Sequence, residues 1–238
     1  MKPFELPPAT PPDVRAGFDQ LCLYADFVST VGVERGLIGP REAERLWPRH
    51  LLNCAAVADP ASSLLPESAS VIDVGSGAGL PGIVWSILRP DLKISLIEPM
   101  QRRVDFLQEA LELLSLDSRI TVTRARAEEL PGEVTADVVT ARAVAPLTKL
   151  AVMLLPLVAP GGTMVAIKGA TAGDEVRGAA KELKKLGAVS VQVVKCGEGW
   201  LEQPTTVVVA TRDAESVVAG KRKRGGRDGR KGASRATR

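Results

Sequence analysis

The hydrophobic rhythm of the chain changes near residue 70. Before that point, Phe18, Leu21, Cys22, Ala25 and Val28 recur at intervals of three and four within Val14 to Val31. This spacing predicts an amphipathic helix, and Pro11 and Pro12 suit its first turn. A turn between Gly36 and Gly39 leads to a second helical stretch from Pro40 to about Ala58, which Pro48 should kink or divide. Residues 59–69, DPASSLLPESA, read as a linker. Beyond it come short β-branched runs: 70–75, 93–98, 120–125, 136–141 and 163–169. Each is almost continuously apolar, as strands buried on both faces of a parallel sheet are. Helical segments lie between them at Leu80–Leu88, Pro99–Leu116, Pro146–Val158 and Thr171–Leu186. Two last strands, 190–195 and 204–211, are separated by a Gly-Glu-Gly-Trp loop without a helix, so they must be antiparallel neighbours. The pattern predicts an α/β fold: an open, doubly wound sheet of seven strands closed by a terminal antiparallel hairpin and preceded by a helical segment.

Four regions follow from the pattern: a proline-rich arm (1–12), an N-terminal helical segment (13–66), a ligand-binding α/β domain (67–212) and a basic tail (213–238). The 238 residues are 45% apolar and 25% charged, which excludes a mostly disordered chain. Aromatics make up only 3%, so a platform for stacking single-stranded bases would have few side chains to draw on. No apolar run approaches the ~20 residues of a membrane span. The first residues lack the apolar core and basic lead of a secretory signal, and a cytoplasmic protein without membrane contact is expected. Cys22, Cys54 and Cys196 lie too far apart for a disulfide framework, and a single histidine, His50, offers no zinc constellation.

Charge adds one feature to this picture. Residues 219–238 hold nine of the 31 Lys and Arg but one of the 28 acids, leaving 22 basic and 27 acidic side chains in the other 218 residues. A mildly acidic body with a basic tail points to a polyanion, which in the cytoplasm means nucleic acid. The alternative is a solvated tail that only aids solubility.

Chemistry concentrates where the first strand ends, in Asp73-Val-Gly75-Ser-Gly77-Ala-Gly79-Leu-Pro81-Gly82. Glycines there let the chain turn sharply and let a ligand approach the backbone, at the strand ends where open α/β sheets bind ligands. Gly77, Gly79 and Gly82 match the dinucleotide fingerprint, so a nicotinamide cofactor has to be weighed. Asp73 argues against it, because a carboxylate beside the turn would repel the pyrophosphate. S-adenosylmethionine instead carries an ammonium and a sulfonium, which an acid attracts. Glu98, ending the second strand, can accept both ribose hydroxyls of either cofactor. The terminal hairpin favours a methyltransferase over a dehydrogenase, whose sheet usually continues in parallel.

The runs DVGSGAGLPG, RPDLKISLIEPMQRRVDFL, RAEEL, ARAVAPL and IKG, with RHLLN in the N-terminal segment, resemble the small-subunit (16S) rRNA guanine-N7 methyltransferase family RsmG, also called glucose-inhibited division protein B. The resemblance covers residues 15 to 212 and leaves out the proline-rich arm and the basic tail. It implies a Rossmann-like class I methyltransferase fold, S-adenosylmethionine as cofactor, and a target guanine in the 530-loop hairpin of 16S rRNA, naked or in a small-subunit particle. No obligate protein partner is implied. Residue by residue, it implies Gly75 and Leu80 at the cofactor pocket, Gly77 and Gly79 shaping the loop, Glu98 on the ribose, and Ala127 and Glu128 on the adenine. It also implies that Arg142 touches cofactor or target. Asn53 stands where relatives commonly carry an acid, so the resemblance assigns it no role.

The fourth strand ends in Ala-Arg142-Ala-Val-Ala-Pro146, without the Asn/Asp-Pro-Pro-aromatic turn of enzymes that methylate exocyclic amines. Guanine N7 has a free lone pair and no proton to lose, so it needs no general base. The chain's task is then alignment of N7, methyl and sulfur. Arg142 is accordingly expected to position phosphate, the guanine O6 edge or the cofactor carboxylate. Lys168, at the end of the fifth strand, is a candidate phosphate contact, or a lysine with a buried stem. Arg49, His50 and Asn53 fall on one helical face that could close the site, His50 being also readable as a satisfied surface imidazole. Trp47 and Trp200 could stack on a flipped base, but packing is the simpler role. The rivals to a methyltransferase are a nicotinamide-dependent oxidoreductase, for which the chain lacks a substrate domain, and an rRNA-binding assembly factor without chemistry.

Overall fold

The computed structural model describes residues 4–130, 134–142 and 145–215. The basic run predicted as a tail therefore lies outside the described residues. The N-terminal segment is helical but more broken than its rhythm suggested: α1 (Pro12–Ala16), α2 (Phe18–Phe27) and a π-helical turn (Val28–Gly32), then α3 (Pro40–Ala43), a second π-helical turn (Trp47–Leu51) and α4 (Leu52–Ala58). Gly17 separates α1 from α2 because α1 lies very close to the next helix inward. A Cβ there would stand 2.6 Å from Leu88 Cδ2. Pro48 sits at the start of the second π turn, where its missing N–H removes no bond of that turn. The proline-rich arm is docked: the Phe4 ring stacks on Trp47 with centroids 4.5 Å apart. The Arg15 guanidinium also donates to the carbonyls of Pro7, Pro8 and Thr10.

The sheet follows, with β1 (Ser70–Val74), α5 (Gly82–Leu88), β2 (Lys93–Ile97), α6 (Gln101–Leu113), β3 (Ile120–Thr123), β4 (Ala136–Ala141), α7 (Leu147–Leu154), β5 (Val158–Lys168), α8 (Ala172–Lys185), β6 (Ala188–Cys196) and β7 (Thr205–Arg212). The seven strands run in the order β3-β2-β1-β4-β5-β7-β6. The first five are parallel, and β6 and β7 are antiparallel neighbours, as the sequence pattern requires; β7 is inserted between β5 and β6, antiparallel to both. No α-helix joins β3 to β4 among the described residues; a 3-10 turn, Ala127–Glu129, stands there. One helix boundary differs from expectation. The segment predicted to stay helical to Val158 leaves the α-helix at Leu154, and Val158 already pairs with Ala136 in β4. Pro156 lacks the N–H that a further turn would need. The residues Pro160-Gly161-Gly162 then bulge before pairing resumes at Thr163.

Strand alternation decides which face each side chain serves. Val71 of β1 packs with α5, α6 and the N-terminal helices, whereas Ile72 and Val74 pack with α7 and α8 on the opposite face. Asp73 therefore points to the same side as Val71, under the N-terminus of α5. The N-terminal segment closes this face tightly: Trp85 is fully buried and its indole N–H donates to the Cys54 carbonyl at 3.0 Å.

Candidate functional site

The carboxyl ends of β1, β2, β4 and β5 converge on one edge of the sheet, carrying Asp73, Glu98, Arg142 and Lys168. The turn after β1 is built by its glycines. Gly75, Gly77 and Gly79 have φ of 70°, 60° and 100°, conformations that strain any other residue. A Cβ on Gly75 would meet no atom within 4 Å, so the backbone there borders open space. At Gly79 the added Cβ would fall 2.3 Å from Ile83 Cδ1, and at Gly82 2.4 Å from Leu96 Cδ2. These two glycines let the loop lie against the core. Leu80 faces inward at 5% exposure, so it can offer a ligand little beyond its backbone. Tyr24, from α2, donates its hydroxyl to the Ala78 carbonyl at 2.5 Å and pins the loop from the N-terminal segment.

Two buried carboxylates hold this turn. Asp73 is fully buried; Oδ2 accepts the Gly82 N–H at 3.1 Å, while Oδ1 has no hydrogen-bond partner. Burial pushes its pKa up to about 7, against the opposing pull of the Gly82 N–H and the Arg142 charge. Glu98 is also fully buried, and its two oxygens accept the N–H groups of Gly77 and Met100, each at 3.0 Å. Arg103 approaches the same carboxylate at 3.6 Å. A carboxylate has about four lone-pair sites, so Glu98 can brace the loop and still accept hydroxyls. Ala127, on the 3-10 turn after β3, is 8% exposed, and Glu128 beside it faces solvent.

Arg142 follows β4 directly and donates to His50 Nδ1, while His50 Nε2 lies 3.0 Å from Glu42 Oε2. Burial lowers the His50 pKa, with Arg142 adding to that effect and Glu42 opposing it. Arg49, His50 and Asn53 do not act as one face. The π turn alters the helical phase, so the Asn53 amide accepts the Thr205 hydroxyl at 3.1 Å and donates to the Arg49 carbonyl at 2.9 Å. Arg49 points outward and reaches Glu42 at 3.8 Å. The Lys168 side chain is 6% exposed, its amine 2.7 Å from Glu175 and donating to the Ala145 carbonyl at 2.9 Å. Trp47 is stacked on Phe4 and Trp200 is buried, so both pack within the protein. The sequence did not single out Tyr24, Glu42, Arg103 or Glu175. Tyr24 meets its partner Ala78 across 54 residues, and Glu42, Arg103 and Glu175 pair across turns between elements, so no helical or strand periodicity marks them.

The orphaned Asp73 oxygen, the open edge at Gly75 and the shielded Glu98 carboxylate suit a ligand bearing a cation and a ribose. The solved apo structure of the S-adenosylmethionine-dependent methyltransferase SibL superposes with a TM-score of 0.57 at 17% identity, covering 87% of this chain and 71% of that one. The fold is thus one that an S-adenosylmethionine-dependent methyltransferase adopts. The family model for GidB, rRNA small subunit methyltransferase G, matches residues 18–205, and the chain belongs to this family. Ribosomal RNA small subunit methyltransferase G of Salinispora arenicola (strain CNS-205) is 52% identical over 223 residues, covering 89% of this chain and 90% of the relative. That of Streptomyces avermitilis is 50% identical over 235 residues, covering 95% and 96%. Among the described residues no helix is long and apolar enough to cross a membrane.

Proposed function

We propose that the protein methylates N7 of a guanine in the 530-loop hairpin of 16S rRNA, in the cytoplasm. The observation that carries the choice of atom is the end of β4. There Arg142 enters the site, and Ala143 and Val144 follow it in sequence, so no side chain at this position can accept an amine proton. An unprotonated lone pair such as N7 is the acceptor such a site can serve.

When bound, S-adenosylmethionine supplies a methyl group on a sulfonium. Asp73 Oδ1 offers its cation a buried acceptor, and the glycine turn admits it to the backbone. Glu98 accepts the ribose hydroxyls while fixing Gly77 and Met100. Ala127 and Glu128 border the adenine. Arg142 orients cofactor or target, because a guanidinium only donates hydrogen bonds and cannot serve as a base. Lys168 acts at one remove, tying the loop after β4 to α8 through Ala145 and Glu175. Methylated N7 makes the purine cationic, so the neighbouring carboxylates favour the product while Arg142 must stand at the O6 or phosphate side.

The product should be 7-methylguanine. Methylated rRNA should then break at a single position after borohydride and aniline treatment; resistance to scission, with the methyl on an exocyclic nitrogen or ribose oxygen, would overturn the assignment. A second expectation concerns the nine cations of residues 219–238. Deleting them should leave cofactor affinity unchanged and make the slope of log rRNA affinity against log salt shallower, by about one for each phosphate that the tail neutralises. Identical slopes in a salt titration of both forms would mean that the tail does not touch RNA.

A further inference from the structure

Arg142 lies in the connection after β4, where no helix or strand fixes its long side chain. Its guanidinium meets His50, on the π turn at Trp47–Leu51, and His50 in turn meets Glu42 of α3. These contacts allow one pattern of protons. A guanidinium has donors and no acceptor, so His50 Nδ1 facing it must present its lone pair. The ring proton is then on Nε2, which donates to the Glu42 carboxylate at 3.0 Å. We propose that Glu42 and His50 are positioning residues for the methyl transfer: they hold the imidazole neutral, as the Nε2–H tautomer, so that Nδ1 fixes the direction of the Arg142 guanidinium.

The inference rests on the reading of Arg142 as a residue that touches cofactor or target. It explains why a half-buried imidazole sits beside a cation at all. Protonated, it would set two positive groups against each other; neutral, it is an acceptor that restrains a side chain with large rotamer freedom. The charged groups facing His50 are Glu42 from α3, Arg142 from the loop after β4, and Arg49 from its own turn. Glu42 is shared, since Arg49 approaches its other oxygen at 3.8 Å. Arg142 also acts electrostatically on Asp73, Tyr24 and Cys54, which places its charge between the N-terminal segment and the cofactor loop. The N-terminal segment therefore contributes to the site twice, through Tyr24 on the glycine turn and through Glu42 and His50 on Arg142. In-line transfer is sensitive to misplacement of about 1 Å, which can cost on the order of 100-fold in rate.

His50 is the only histidine in the chain, so the full-length protein labelled with nitrogen-15 gives a single imidazole in long-range proton–nitrogen spectra. Near neutral pH the pattern should be that of the Nε2–H tautomer, with a titration midpoint below the ordinary value of about 6.5. Arg142→Ala should raise the midpoint, and Glu42→Gln should lower it. An Nδ1–H tautomer, or a midpoint that neither variant moves, would overturn the proposal. Activity supplies the second arm. His50→Asn keeps an acceptor near the Nδ1 position and should transfer methyl within a few-fold of wild type. His50→Gln places its polar group toward Glu42, withdraws the acceptor from Arg142, and should lose on the order of 10-fold or more in kcat/KM for rRNA. Equal losses in both variants at equal thermal midpoints would make His50 a packing residue and refute the proposal. If wild-type protein does not methylate small-subunit rRNA, the functional reading fails, and the spectra still decide the tautomer.

Discussion

Asp73→Asn should weaken S-adenosylmethionine binding by about 1.5–3 kcal/mol, the range of hydrogen bonds to charged groups, or roughly 10-fold to 100-fold. The substitution keeps an oxygen for the Gly82 N–H, so the turn survives and the loss reports the charge on the orphaned oxygen. In the wild type this carboxyl titrates near 7, because burial disfavours its ionised form. A cationic ligand selects that ionised form. Affinity should therefore rise with pH through about 7 and fall by up to tenfold per unit below it, with proton release on binding. Stability has the opposite sign. An acid whose pKa is raised on folding binds its proton better in the native state, so its contribution worsens as pH rises from about 4 to about 7. Asp73→Asn without ligand should then gain stability relative to wild type between pH 5 and pH 8. Calorimetry across pH, with urea unfolding at the two ends, measures both. Unchanged affinity in the variant, or a flat pH profile in the wild type, would remove Asp73 from cofactor binding.

Lys168→Met should destabilise the protein by about 2–3 kcal/mol. That is below the ~3–5 for breaking a fully buried pair, because the Glu175 side chain is 23% exposed and retains some solvation. The change deprives the Ala145 carbonyl of its donor and leaves Glu175 with the Leu147 N–H, at 2.9 Å, and the Thr171 hydroxyl. Because this interaction anchors the connection that carries Arg142, methyl transfer should fall while binding of free cofactor changes little. Glu175→Gln, whose one amide oxygen can still accept from Lys168 and the Leu147 N–H, should lie between wild type and Lys168→Met. Denaturant unfolding together with initial rates checks this. A stable Lys168→Met protein that loses only rRNA affinity would instead return Lys168 to the phosphate contact that its place at the end of β5 suggested.

How far the site was legible follows from the range of the forces involved. The glycine turn and the two acids that brace it, Asp73 and Glu98, were readable because they sit where a local pattern changes, at the ends of apolar runs. The antiparallel pairing of the last two strands was readable because no crossover helix fits between them, whereas the insertion of β7 beside β5 was not. The break after Leu154 was marked by Pro156, yet the apolar periodicity of α7 ran on into it and masked the early start of β5. The grouping of Arg49, His50 and Asn53 assumed 3.6 residues per turn; with a π turn around Pro48, Arg49 and His50 both reach Glu42 while Asn53 turns to Thr205. Lys168 is the instructive residue. Its position at a strand end is the same whether it faces a phosphate or Glu175, and only the packing of α8 distinguishes the two. Tyr24 and Glu42 carry no local signal, because their importance comes from the N-terminal segment folding onto the sheet edge.

The central claim is that this chain places a methyl group on one guanine N7 of small-subunit rRNA. Mass mapping of 16S rRNA from cells that contain the protein and cells that lack it tests this most directly. The account predicts one 7-methylguanine, in the 530-loop hairpin, present in the first and absent in the second, and restored by the wild-type protein but not by Asp73→Asn at limiting cofactor. Identical methylation in both cell types, or loss of a methyl from a different atom, would contradict it.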